Sequence, residues 1–139
     1  MRKSIILSKI NEIEESIALI AENMPEEFDD FENLGLMKDG IYKRIQYAIE
    51  NILDICAIIN SDLKFSSPGE EDEIITTLVK NKVIPKGIAG KIKEFKGFRN
   101  IIVHRYGKID DKLAFELIKE NLEDFDKIIE IIKKAIDKY

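Results

Sequence analysis

An all-α bundle of four or five helices is predicted by three observations. Apolar residues recur at three- and four-residue steps over long stretches, and no stretch alternates apolar and polar residues as a half-buried strand would. The three prolines, Pro25, Pro68 and Pro85, fall between the periodic stretches, where they punctuate helices without breaking them. At 139 residues the chain is sized for a single domain, 1–139, with one core.

Each element has its own warrant. Ile6, Ile10, Ile13, Ile17, Ile20 and Met24 make one apolar stripe over residues 4–24, which Pro25 ends. The acidic stretch 25–32 reads as a loop or distorted turn that Phe28 and Phe31 pack down. A second helix is expected from about Asn33 to about Asn60, with Leu34, Met37, Ile41, Ile45, Ala48, Ile52, Ile55 and Ile59 in its stripe. Ile49, Leu53, Cys56 and Ile58 widen that stripe, so the helix should sit centrally.

Ser67, Pro68 and Glu70 have the spacing of a capping box and predict the start of a third helix carrying Ile74, Ile75, Leu78 and Val79. After Pro85 comes a fourth, with Ile88, Ile92, Phe95 and Ile102, ending near Gly107. Asp110 or Asp111 can cap a fifth, from about Lys112 to Lys138, striped by Leu117, Leu122, Phe125, Ile129, Ile132 and Ile136. Doubled stripes on the second and fifth helices suggest a face left over for a second copy of the chain, a homodimer.

Composition narrows the function classes. The single cysteine, Cys56, excludes an internal disulfide, and its apolar surroundings predict a buried, inert thiol. No run reaches the ~18 apolar residues of a membrane helix, and acidic residues enter too early for a signal peptide, so a cytoplasmic protein is expected. The net charge of −5 conceals an asymmetry. Residues 1–79 carry 7 Lys/Arg against 17 Asp/Glu, residues 80–108 carry 9 against 1, and residues 109–139 carry 6 against 9. The basic segment suits phosphates, though a solvated lysine face would have the same composition.

That segment also holds the only histidine, His104, five residues after Arg99, four after Asn100 and two before Tyr106. Metal ligation has no support from spacing, so neither a metal nor another cofactor is expected. Imidazole exchanges protons near neutral pH, and a guanidinium can fork onto phosphate oxygens and a developing phosphorane. Together they suit RNA cleavage by the neighbouring 2′-hydroxyl. One base and one acid are wanted, and two copies of the chain would supply two histidines. The plainer reading is a hydrogen-bonded helix histidine beside a surface arginine. Glu50 and Asp54, one turn apart on the second helix, are two solvated acids or partners for a basic group in the site.

The string from Arg99 to Tyr106 resembles the Arg-x4-His-x-Tyr motif of the HEPN superfamily, and its surroundings (44–60, 66–85 and 97–110) are similar to the HepT-type toxins in the same order. The resemblance implies a HEPN-like helical homodimer, built on antiparallel helices, acting as a metal-independent endoribonuclease at the dimer cleft. Arg99 and His104 would be catalytic, and Asn100 and Arg105 would contact phosphate or substrate. Tyr106 would be the tyrosine to which a MntA-type nucleotidyltransferase antitoxin attaches AMP, in a type VII toxin–antitoxin pair. Glu50 and Asp54 fall where the family carries acids on its long helix. The alternative is a non-catalytic helical module that binds a nucleotide or a nucleotidyltransferase.

Overall fold

In a computed structural model the chain forms six helices and, among the described residues, no strand: α1 (Lys3–Asn23), α2 (Phe28–Glu32), α3 (Leu36–Asp62), α4 (Glu71–Lys80), α5 (Lys86–His104) and α6 (Asp111–Asp137). The structure describes residues 1–65, 69–104 and 108–139, with the backbone alone of His104.

α3 is the axis of the bundle. α1 packs along one of its sides, α4 and α5 cover the other, and α6 lies across α1, α2 and α5. Most of both apolar stripes of α3 is therefore consumed within the chain: Ile41, Ile45, Ala48, Ile49, Ile52, Leu53, Ile55, Cys56 and Ile59 are buried, and Ile58 is partly buried. The leftover face expected there is taken by α4 and α5. Met37, expected in the stripe, is half exposed at the helix start, and its neighbour Leu36 is 88% exposed.

The acidic stretch after Pro25 contains a short helix in place of the expected loop. Phe31 in α2 is fully buried and meets Tyr42 of α3 and Phe115 of α6 at ring distances of 5.9 and 5.2 Å. Aromatic burial of this size holds a single helical turn that has too little local cooperativity to persist alone. Gly35 then turns the chain into α3 at φ 64°, a left-handed conformation that costs glycine no Cβ clash.

The start of α4 corrects a second expectation. The helix begins at Glu71 with Glu70 as its cap residue and no side-chain cap bond, so Glu70 is not the third helical residue of a capping box. Ser67 and Pro68 lie outside the described residues. Glu71, Asp72 and Glu73 instead fill the first turn, where the helix dipole favours negative charge. At α6 the sequence-based cap holds, as Asp110 accepts from the Leu113 amide at 3.1 Å. One residue on, Asp111 ties α6 to α3, taking Lys38 Nζ at 2.8 Å and the Tyr42 hydroxyl at 2.5 Å.

Candidate active site

α5 carries the motif as far as His104, and its seating explains how Arg99 is held. Ile92, Phe95, Phe98 and Ile102 face the core, with the Phe95 ring stacked on Phe125 of α6 at 4.4 Å. That fixes the helix rotationally and turns Lys96, Arg99 and Asn100 toward the start of α4. Arg99 Nη2 donates to Glu71 Oε1 at 2.7 Å, and Arg99 Nε donates to Asn100 Oδ1 at 3.0 Å. One turn earlier, Lys96 pairs with Asp72 at 3.1 Å.

The guanidinium is thus held along one edge. Nε and Nη2 lie side by side on the planar fork, and both are engaged by protein oxygens. The Arg99 side chain is only 16% exposed, and among the described residues nothing bonds Nη1. A carboxylate and an amide therefore aim the remaining edge. Asn100 has a defined part in this, since its oxygen orients Arg99. Arg105 and Tyr106 lie outside the described residues, as does the His104 side chain.

Glu50 and Asp54 are not the acids that meet Arg99. Glu50 accepts from Gln46 at 3.0 Å, and Asp54 is paired with Lys9 of α1 at 3.4 Å in an exposed contact. Glu71 takes that place. Its only signal in the sequence was membership of an acidic helix start, and nothing local links residue 71 to residue 99. Cys56 is buried, and burial pushes its thiol up to about 12, which leaves no thiolate for chemistry. Among the described residues no three His, Cys, Asp or Glu side chains gather as metal ligands.

Beside the motif, α5 and α6 leave an open apolar groove of about 330 Å³ walled by Phe95, Phe98, Ile101 and Leu117. Gly97 lies in it, and a Cβ there would meet nothing within 4 Å.

Residues 13–132 match the profile of the family described as Ribonuclease HepT-like. The chain belongs to that family. Among HepT-like relatives, one from Archaeoglobus fulgidus named "Putative RNase" is 26% identical over 139 residues, covering 99% of this chain and 98% of its own. The same fold occurs in a tri-AMPylated HEPN toxin of Shewanella oneidensis solved in complex with its MNT antitoxin, at 27% identity and a TM-score of 0.83, over 94% of this chain and 97% of that one. A toxin–antitoxin crystal structure with AMP-PNP matches at 26% identity and a TM-score of 0.82, over 92% and 97% of the two chains. The HEPN assignment expected from the motif and the all-α bundle expected from the periodicity are both borne out.

Proposed function

We propose that this HepT-like chain is the toxin of a type VII, HepT/MntA-like pair: a metal-independent endoribonuclease working at the cleft of a homodimer. The observation that carries the reading is Arg99, mostly buried, with one edge of its fork fixed by Asn100 and Glu71 and the other left for an anion, on the helix that leads into His104.

The chemistry follows from those groups. One His104 imidazole takes the proton of a ribose 2′-hydroxyl as the oxygen bonds to the adjacent phosphorus. Arg99 stabilises the extra negative charge on the phosphorane oxygens. The bond to the 5′-oxygen then breaks, and that oxygen takes a proton from the histidine of the second copy. A 2′,3′-cyclic phosphate and a free 5′-hydroxyl remain, and Arg105 supplies a further phosphate contact. Attaching AMP to Tyr106 places bulk and negative charge where RNA phosphates must approach, which accounts for silencing by a nucleotidyltransferase antitoxin. The AMPylated toxin–antitoxin relative supports this part of the reading.

The apolar α5–α6 groove next to the motif supports a second copy as its occupant. Gly97→Arg tests that assignment cleanly, because the site is open in the single chain and arginine is a better helix former by roughly 0.5–1 kcal/mol. The expected result is a monomer in sedimentation that melts no lower and cuts no RNA; an intact dimer would remove the groove from the interface.

The decisive experiment is RNA cleavage in chelator by the wild-type chain and by His104→Ala, with intact mass measured on both. Chelator-resistant cleavage lost in the variant is expected. Unmodified wild-type protein that cuts none of several RNAs would sink the ribonuclease reading and favour a binding module.

A further inference from the structure

The cations of the basic segment are not all held alike in the fold. Three on α5 beyond its first turn are paired with carboxylates. Lys91 pairs with Asp124 at 3.3 Å, Lys96 with Asp72 at 3.1 Å, and Arg99 with Glu71 at 2.7 Å. At the far end of α5, Lys82, Lys86, Lys134 and Lys138 ring a cavity of about 410 Å³ whose floor is apolar, including Val83, Pro85 and Ile131. No Asp or Glu lines it. Lys82, Lys86 and Lys138 form no ion pair among the described residues, and Lys134 has only an exposed contact with Glu130, one turn back on its own helix.

Helix dipoles account for part of this arrangement. Lys138 caps α6 and Lys82 follows the end of α4, where positive charge is favoured. Lys86 has no such reason. It opens α5, at the positive end of the helix dipole, in a first turn that has no acidic residue. The local field there repels a cation, so the fold concentrates positive charge at this end with only the exposed Glu130 contact of Lys134 to offset it.

We propose that this lysine-ringed cavity is a second RNA contact, a site that grips substrate phosphates away from the point of cleavage. The inference rests on the ribonuclease reading above. A chain of net charge −5, with Lys96 and Arg99 already paired, needs unpaired cations elsewhere to hold a polyanion. Lysines on flexible stems around an apolar floor suit sequence-independent contact with a backbone. Lys86 and Arg99 are 13 positions apart on one helix, about 20 Å at 1.5 Å per residue. That span is roughly six phosphates of a stacked strand. A stacked RNA shorter than this does not reach both places on one chain.

The test uses fluorescently labelled single-stranded RNAs of about 20 and about 5 nucleotides, bound to the full-length His104→Ala chain so that the RNA stays intact. Lys82→Gln, Lys86→Gln and Lys138→Gln are added together. A control removes three lysines elsewhere, Lys3, Lys43 and Lys127. The expected result is a tenfold or greater loss of affinity for the longer RNA, less than twofold for the shorter, and a salt dependence flatter by about 2 in log–log slope. Unchanged affinity for the longer RNA, or an equal loss in the control, overturns the second contact. Cleavage by the wild-type chain in chelator, run in parallel, separates the two claims. Cleavage with no effect of the lysines removes this inference alone, whereas absence of both binding and cleavage removes the ribonuclease reading and this inference with it.

Discussion

The two ends of α5 are both rich in cations, and the fold treats them in opposite ways. Toward the motif, Lys96 and Arg99 each have a carboxylate within 3.1 Å, supplied by the first turn of α4. At the Lys86 end the lysines surround a cavity with no acid in its wall. Pairing fixes a side chain in one geometry and cancels its long-range field; leaving it unpaired keeps the field and gives up the geometry. The first arrangement suits a group that must be aimed at one phosphorus atom, and the second suits one that must hold any phosphate that arrives.

The contrast can be broken first at its most sensitive point. Arg99→Lys keeps the charge but cannot reach Asn100 and Glu71 along one edge while offering a second edge to phosphate. Cleavage should fall 10²- to 10³-fold, and retention of more than a tenth of wild-type activity would mean the fork geometry is irrelevant. A gentler pair separates aiming from gripping. Glu71→Gln weakens the hold on Arg99 and should lower kcat about tenfold without raising KM, whereas Lys86→Gln should raise KM for long RNA about threefold. If both variants act on KM alone, the two ends do not differ in role.

A smaller effect tests the anchor beyond the motif. Lys38 and the Tyr42 hydroxyl hold Asp111 below the usual carboxylate value of 3.8, against the opposing effect of burial. Burial first, and then the bond to Asp111, raises the Tyr42 phenol above its usual 10.0. A depressed acid contributes stability that is present above pH ~4 and lost as pH falls, and a raised phenol contributes stability that is present below pH ~10 and lost as pH rises. Asp111→Asn should therefore cost about 1–2 kcal/mol at neutral pH and shrink the difference from wild type at both extremes. Parallel stability curves across the whole pH range would show that this contact does not couple α6 to α3.

Much of the fold was legible because helices write themselves in local periodicity. α1, α3 and α6 were placed within a few residues from their isoleucine and leucine steps, and Asp110 announced its own cap. α2 was not, because five residues make no period and its stability comes from Phe31 meeting Tyr42 and Phe115, partners 11 and 84 positions away in the chain. The site divides along the same line. Arg99, Asn100 and His104 stood out as a string, and the string was enough to place the family. Glu71 did not, since its 28-residue separation from Arg99 follows no pattern that a helix or turn imposes. Nor could composition reveal which cations of residues 80–108 would be paired, as Lys91, Lys96 and Arg99 are, and which would ring a cavity, as Lys82 and Lys86 do.

The packing of α6 against α1 bears on how the protein is made. Lys133 reaches Glu14 at 3.2 Å, and the apolar face of α6 covers both α1 and α2. A ribosome delivers α1 and α3 well before α6, so the isoleucines that await it stay uncovered until Phe125, Ile128, Ile129 and Ile132 have emerged. The core closes only with α6, and until Phe125 is made Phe95 lacks the ring it stacks on, the contact that fixes the rotation of the helix carrying Arg99.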